Sequence, residues 1–152
     1  MISNGSAVEA KRKIDDAVVA GAQLLTGGTL NGPVLTPAVL TGVPRNCEAW
    51  SEELFAPPVV LVEPFDSPPE EAIELANDSE YALQAGVFTK DLGRALATAK
   101  AIDAGGVMIN DSSDYRHDAM PFGGSKYGSM GREGVHFAYE EMTQPKVIAI
   151  AS

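Results

Sequence analysis

The alternation of strand-like and helix-like segments with short connections constrains the fold of this chain more than any other feature. Apolar runs typical of strands, at residues 57–65, 83–89 and 107–110, are separated by helix-like segments at 67–77 and 92–102. In α/β units of this kind, a crossover helix returns the chain to a strand parallel to the preceding one. The pattern predicts an α/β fold with a mostly parallel sheet flanked by helices.

Local signals place the first elements. Ser6 and Glu9 stand in the S-x-x-E spacing of a capping box, which predicts a helix that begins at Ser6. Residues 32–44 contain three prolines, so we expect a loop-rich or edge segment there. The β-branched run at 57–65 is typical of a buried strand.

The later elements carry clear boundaries as well. Ser67 is the expected N-cap of the second helix, with Pro68 at its first position. Residues 132–142 read as the last helix, and "KVIAI" at 146–150 as a closing strand. Because an exposed apolar strand invites pairing with another chain, the segment 146–150 predicts self-association.

Composition excludes several classes of protein. The chain has 152 residues, the length of a single domain, so we expect one domain over residues 1–152. Its net charge is −10, from 21 acidic and 11 basic residues, which repels nucleic acids and anionic membranes. No apolar run is long enough to cross a bilayer. The single cysteine precludes an internal disulfide and favours a cytoplasmic location.

The glycine-rich stretch "MPFGGSKYGSMGREG", residues 120–134, looks at first like a nucleotide loop. It fits neither the G-x-x-x-x-G-K-[ST] nor the G-x-G-x-x-G spacing of phosphate-binding loops. Glycine also serves where the backbone needs a positive φ or where two backbones pass closely. We therefore predict a structural turn rather than a phosphate cradle.

Four collinear stretches carry a resemblance to a known family. They are "EELFAPPVVLVEPF", "ANDSEYALQAGVFTKD", "GGVMIN" and "MPFGGSKYGSMGREG". In this order and spacing they resemble the aldehyde dehydrogenase superfamily, from about Ala7 to Ile150. The resemblance implies the later part of that family's catalytic domain, with a C-terminal strand that helps the family oligomerise.

The resemblance implies a nicotinamide cofactor, NAD or NADP. Glu53 matches the glutamate that hydrogen-bonds the nicotinamide ribose hydroxyls, and Phe55 matches the aromatic residue beside the nicotinamide ring. A carboxylate can accept from both hydroxyls of a diol, and an apolar ring can shield the nicotinamide. The choice between NAD and NADP belongs to the dinucleotide-binding domain, so these residues do not decide it.

The resemblance also implies a substrate pocket. Phe122 matches a position that lines the aldehyde tunnel, and Asn110 is expected at the carboxyl end of a strand, where α/β sheets place ligands. The loop between them would shape substrate choice, and Asn110, Tyr115 and Phe122 form a candidate small-molecule site. Arg116 could bind a carboxylate or phosphate of an aldehyde, or form a surface ion pair with Asp114 or Asp118.

No catalytic residue is predicted in this chain. In the family the dinucleotide-binding domain, the glutamate base and the cysteine nucleophile precede the matching region. Cys47 lies in "PRNCEAW", six positions before Glu53, in a context unlike the family's G-Q-x-C, and a small packing thiol is the better interpretation. We therefore predict an inactive fragment of an aldehyde dehydrogenase.

Other features have two interpretations. His117 between Asp114 and Asp118 could suggest a metal site, but a solvated loop is favoured, so no metal is predicted. Lys126 and Arg132 could hold an anion or lie in a solvated turn.

Three departures from the family pattern put local backbone geometry in doubt. They are Ala56 and Ala82, each in place of a glycine, and Gly128-Ser129 in place of Ser-Gly.

Two functions remain open from the sequence. One is the silent dehydrogenase fragment. The other is a stand-alone assembly module that associates with itself, as a homo-oligomer, or with a full-length aldehyde dehydrogenase subunit. Removal of an upstream domain would expose apolar surface and sheet edges, which is why we expect association.

Overall fold

A computed structural model describes residues 1–62, 69–127 and 130–151. The chain divides into two compact units, Met1–Asp66 and Ser67–Ser152. Each unit has its own helices and strands, and each carries part of the predicted site.

The first unit combines a long helix with a three-stranded sheet. Its elements are α1 (Asn4–Val19), β1 (Gln23–Thr26), β2 (Leu30–Asn31), β3 (Val34–Leu35), β4 (Ala38–Thr41), α2 (Glu48–Ser51) and β5 (Pro58–Leu61). The sheet has the order β1–β4–β5, with β4 antiparallel to β1 and parallel to β5. Strands β2 and β3 form a separate antiparallel hairpin.

Helix α1 begins earlier than the sequence predicts. Ser3 is its N-cap, and the Ser3 hydroxyl accepts a hydrogen bond from the backbone N–H of Ser6 at 3.0 Å. The capping box centred on Ser6 is therefore wrong, because a second serine three residues upstream takes the cap. Glu9, its expected partner, instead accepts hydrogen bonds from Arg12 within the helix.

One face of α1 forms the core with β4. Ile14 and Leu40 are fully buried, and Ala38 is 1% exposed. The expectation that 32–44 is loop-rich or at an edge is wrong for β4, which lies in the middle of its sheet. Its proline, Pro37, precedes the first strand residue, so no ladder hydrogen bond is lost.

Strand β5, in contrast, is at the edge of this sheet. Val59 and Leu61 are about half exposed, so the predicted buried strand has one open face among the described residues.

The described residues of the second unit form three helices and short strand pairs. Its elements are α3 (Pro69–Asn77), β6 (Tyr81–Ala82), β7 (Gln84–Val87), α4 (Leu92–Ala101), β8 (Gly106–Ile109), β9 (Ser125–Lys126) and α5 (Val135–Met142). Strands β7 and β8 are parallel and β6 and β9 antiparallel. The predicted helix start at Ser67 and Pro68 lies outside the described residues. Residues 143–150 are neither helix nor strand, so the predicted strand at 146–150 is not formed in this chain.

The α/β class is confirmed, whereas a mostly parallel sheet is not. Within the described residues two strand pairs are parallel and three are antiparallel. The parallel pairs are those joined through a helix, β4–α2–β5 and β7–α4–β8, as parallel crossovers require. Asp91 caps α4 by accepting from the N–H of Arg94 at 2.9 Å.

No helix in the described part of the chain is long and apolar enough to cross a membrane.

Candidate functional site

The first candidate site lies on the segment that follows α2. Ion pairs hold α2 and the residue after it to α1: Lys13 donates to Glu52 at 2.7 Å and lies 3.7 Å from Glu48, and Arg12 also reaches Glu48. The hydrogen bond that Lys13 donates to Glu52 raises the pKa of the Lys13 amine above its ordinary value, although partial burial opposes the shift. These contacts fix the backbone one residue before Glu53.

Glu53 and Phe55 lie side by side on the wall of one cavity. The cavity has a volume of about 530 Å³, and its other wall is the first turns of α1, including Ser6 and Lys13. Phe55 is 88% exposed and has φ +43°, a left-handed conformation that costs energy for a bulky residue. Glu53 makes no hydrogen bond or ion pair with any residue that the structure describes.

The two alanines that replace family glycines fit their positions. Neither Ala56 nor Ala82 has a positive φ; the strained residue of the first motif is Phe55. Ala56 packs against the core of the first unit, and Ala82 is buried in β6. The third departure, Gly128-Ser129, lies outside the described residues.

Asn110 directly follows strand β8, at the carboxyl end where the sequence predicts it. Its φ is +58°, which asparagine tolerates better than most residues. Its side-chain oxygen accepts from the N–H of Thr89 at 2.8 Å, and its own N–H donates to Val87 at 2.7 Å. Asn110 thus joins the carboxyl ends of β7 and β8.

The glycine-rich stretch is a close backbone crossing. A Cβ on Gly105 would lie 1.7 Å from the carbonyl oxygen of Gly123, and a Cβ on Gly124 would lie 2.9 Å from that of Ala82. Gly131 and Gly134 have φ values of +95° and +121°. Glycine is therefore needed here both for close approach of two backbones and for positive φ values. This geometry agrees with a structural role for the stretch.

The crossing brings Arg116, Phe122 and Glu133 together. Phe122 and Glu133 exchange two backbone hydrogen bonds, at 2.9 and 2.6 Å. The Arg116 guanidinium lies over the Phe122 ring, 4.0 Å from its centroid, and pairs with the Glu133 carboxylate at 2.9 Å.

The ion-pair partner of Arg116 is therefore Glu133, not Asp114 or Asp118. Sequence reasoning did not single out Glu133 as a site residue, because it is 17 residues from Arg116 and no local spacing links them.

Arg116 and Phe122 line a second cavity of about 670 Å³. Asn110 and Tyr115 are not among its lining residues. The carbonyl oxygen of Tyr115 accepts from the side chain of Gln84 at 3.3 Å, and its ring lies edge-on to His117. The structure thus brings together two of the four predicted substrate residues at this cavity.

The cations of the glycine stretch bind carbonyl groups. Lys126 donates to the carbonyl oxygens of Asn77 and Ser79, at 2.7 and 3.0 Å, at the end of α3. Arg132 donates to those of Gly124 and Gly131. Because both cations already have protein acceptors, these contacts give no support to the suggested anion site.

No metal set is found either: within the described ranges, no group of three or more His, Cys, Asp or Glu side chains lies together.

Comparison with known proteins supplies the family. The family model for the aldehyde dehydrogenase family matches residues 1–148. This chain belongs to the aldehyde dehydrogenase family. The resemblance carried by the four sequence stretches is therefore confirmed.

Individual relatives from that family are similar over nearly the whole chain. A putative aldehyde-dehydrogenase-like protein of Sinorhizobium fredii is 57% identical over 150 residues, covering 99% of this chain and 29% of the relative. Aspartate-semialdehyde dehydrogenase 1 of Pseudomonas canavaninivorans is 55% identical over 152 residues, covering 99% and 32%. The chain thus spans about a third of the length of these relatives.

Solved structures of aldehyde dehydrogenases share the fold. Aldehyde dehydrogenase 21 from Physcomitrella patens, in complex with the reaction product succinate, matches with a TM-score of 0.89 and 39% identity. The match covers 93% of this chain and 29% of that one. Similar solved structures include complexes with NADP and with NAD⁺.

The one cysteine of this aldehyde dehydrogenase chain is a packing residue. Cys47 is half-buried before α2 and contacts the core of the first unit, as does Trp50. The prediction of a small packing thiol is confirmed.

Proposed function

We propose that this chain forms part of an NAD(P)-dependent aldehyde dehydrogenase and does not oxidise aldehydes alone. In the complete enzyme it would hold the nicotinamide ribose and line the substrate site. The observation that carries the proposal is the placement of Glu53 and Phe55 on one cavity wall. A carboxylate with no partner among the described residues and a strained, exposed aromatic ring are typical of residues that contact a ligand.

The requirements of aldehyde oxidation explain why we expect the chain alone to be inactive. Aldehyde oxidation in this family needs a thiolate nucleophile and a bound cofactor to accept the hydride. The chain has one cysteine, Cys47, and it packs against the core. Bound NAD(P) would supply the hydride acceptor. Glu53 would orient the ribose, and the Phe55 ring would exclude water from one face of the nicotinamide.

A two-part experiment tests this proposal. The purified chain, mixed with NAD or NADP and a simple aldehyde, should give no reduced nicotinamide by absorbance, and steady reduction would refute it. For the role of Glu53, residues 1–148 replace the matching region of aspartate-semialdehyde dehydrogenase 1 from P. canavaninivorans. In this chimera Glu53→Gln should raise the KM for cofactor about 10-fold or more, since hydrogen bonds to a charged acceptor are lost.

The matched control in the chimera is Glu70→Gln, which removes the same charge from the exposed first turn of α3. An equal effect of the two substitutions would show that Glu53 has no specific role in holding the cofactor.

The substrate class follows from Arg116. Its guanidinium lies over the Phe122 ring, 4.0 Å from the ring centroid, and its side chain is 43% exposed, so it is accessible to a carboxylate or phosphate, which arginine can bind in a bidentate manner. Two similar proteins are an aspartate-semialdehyde dehydrogenase and an enzyme bound to succinate, so both are associated with carboxylate-bearing molecules. We therefore assign aldehydes with an anionic group as the substrates of the complete enzyme.

An assembly role is the second candidate function, favoured by the exposed C-terminal tail. Val147, Ile148 and Ile150 are 91%, 77% and 91% exposed. Three such side chains in one segment favour pairing with a second copy or with a full-length dehydrogenase subunit. Sedimentation should show a concentration-dependent oligomer that Ile148→Glu dissociates. A monomer at every concentration would contradict this role.

A further inference from the structure

We propose that Glu133 is an internal competitor for the anion site at Arg116. In the free chain the Glu133 carboxylate pairs with the Arg116 guanidinium. An anionic group of the substrate displaces the Glu133 carboxylate. The inference rests on the proposed function, because it takes Arg116 as the anion-binding residue. The inference adds Glu133 as a residue that determines the affinity of this site for an anionic substrate group.

The geometry fixes both partners of the pair. The two backbone hydrogen bonds between Phe122 and Glu133 place the Glu133 backbone beside the Phe122 backbone. The Arg116 guanidinium lies over the Phe122 ring, 4.0 Å from the ring centroid. The carboxylate reaches the guanidinium edge at 2.9 Å, which is the edge that a substrate carboxylate would bind.

Because the Arg116–Glu133 pair is exposed, replacing Glu133 by a substrate anion costs little free energy. The side chain of Glu133 is 69% exposed and that of Arg116 is 43% exposed, and ion pairs this accessible are weak. A displaced Glu133 carboxylate would remain hydrated, while the incoming anion would make the same kind of hydrogen bond. Exchange therefore replaces one charge-assisted contact with an equivalent one.

Charge around the cavity shows why Glu133 should control affinity. Asp118 and Glu141 also line it, and its second cation, Arg132, donates to backbone carbonyls. With Glu133 ionised, the nearby charge therefore opposes an incoming anion. Removing the charge of Glu133 both releases Arg116 and lessens that repulsion.

The test is a titration of the 152-residue chain with succinate at constant ionic strength, with the affinity of each variant measured by calorimetry and the bound position in the wild type followed by NMR of the arginine side-chain N–H signals. Arg116→Gln identifies the Arg116 signal by its loss. We expect a saturable shift in the wild type, roughly two- to fivefold tighter binding in Glu133→Gln, and loss of binding in Arg116→Gln. Glu133→Asp, which keeps the charge but has a shorter reach, should lie between wild type and Glu133→Gln.

Controls separate the competing explanations. Succinamide has the same shape without the charge and should cause no shift. Glu140→Gln makes the same charge change on α5 at a residue outside the cavity lining, and should leave the affinity for succinate unchanged.

The two proposals fail in different ways. If Arg116→Gln abolishes binding but neither Glu133 variant tightens it, or Glu140→Gln tightens it equally, the competitor role is overturned and the anion site stands. If Arg116→Gln binds succinate like the wild type, or succinamide gives the same shifts, the anion site itself is overturned.

Discussion

The interior of the first unit differs from the interior of the second. In the described part of the first unit, nine buried residues form one apolar core that includes Ile14 and Leu40. In the second, the buried hydrophobic residues among those described are two alanines, Ala82 and Ala95. Large apolar side chains such as Leu96 remain half exposed there.

The difference between the two interiors corresponds to two ways of positioning candidate site residues. Glu53 and Phe55 lie on a segment attached to an apolar core by Ala56 and by the Lys13–Glu52 pair. The Arg116–Phe122–Glu133 cluster instead depends on backbone crossings at glycine and on side chains that bind carbonyl groups. The first arrangement depends on burial of apolar area, and the second on close approach of polar backbone.

A matched pair of leucine substitutions should give the largest contrast between the units. Leu40→Ala removes a fully buried side chain and should destabilise the first unit by about 2–5 kcal/mol, through lost burial and the cavity left behind. Leu96→Ala removes a half-exposed side chain from α4 and should cost less than about 1 kcal/mol in the second unit.

Urea unfolding can follow the units separately. The single tryptophan, Trp50, lies in the first unit and the four tyrosines lie in the second. Trp50 fluorescence should report the loss in Leu40→Ala, and tyrosine fluorescence the small change in Leu96→Ala. Equal losses from the two substitutions would show that the second unit has a core comparable to the first.

A glycine substitution tests the backbone crossing of the second unit. In Gly105→Ala the new Cβ would meet the Gly123 carbonyl oxygen at 1.7 Å, so the backbones must separate. We expect a loss of about 1–3 kcal/mol in the tyrosine-detected transition, and weaker succinate binding as Phe122 moves with Gly123.

Gly5→Ala in α1 is the control for this substitution. Its Cβ has ordinary contacts only, the nearest being the Ser3 hydroxyl at 3.8 Å, and alanine favours helix, so stability should rise by up to about 1 kcal/mol. Full stability and unchanged succinate binding in Gly105→Ala would mean that the crossing does not hold the site.

The sequence predicted the family and the fold class because those signals are local. The four motif stretches and the strand–helix alternation are contiguous, so they can be read without knowing the fold. Asn110 was correctly expected at the end of a strand because glycines and an apolar run define β8. Cys47 was correctly expected to pack, from its small apolar character and its surroundings.

The errors come from contacts made at a distance. Whether β4 or β5 is central depends on strand pairing, which propensity alone does not contain. The Arg116–Glu133 pair needs the Phe122–Glu133 bridge, which forms only when the glycine stretch folds back. The closing strand at 146–150 had the right propensity, but none of the described residues pairs with it in this chain.

A pH dependence confined to the first unit gives the smallest predicted effect. The hydrogen bond that Lys13 donates to Glu52 raises the pKa of the Lys13 amine above its ordinary 10.5. A lysine whose pKa is raised on folding contributes stability that is fully present below the unfolded-state value. That contribution is lost as the pH rises through the folded-state value. We therefore expect Lys13→Met to destabilise the first unit by about 0.5–1 kcal/mol at neutral pH, with the difference from wild type shrinking above about pH 10.5.

The measurement is urea unfolding followed by Trp50 fluorescence, for wild type and Lys13→Met, at about pH 8 and about pH 11. Using the difference between the two proteins cancels the other groups that titrate at high pH. Lys100→Met is the control, since it removes the same charge from the last turn of α4 in the second unit and should leave the Trp50 transition unchanged. A difference that stayed constant or grew at the higher pH would show that the charge of Lys13 does not hold α1 to the segment carrying Glu53. The attachment would then depend on the apolar contact of Ala56 and on the Arg12–Glu48 pair, and the first unit would position Glu53 without a contribution from the charge of Lys13.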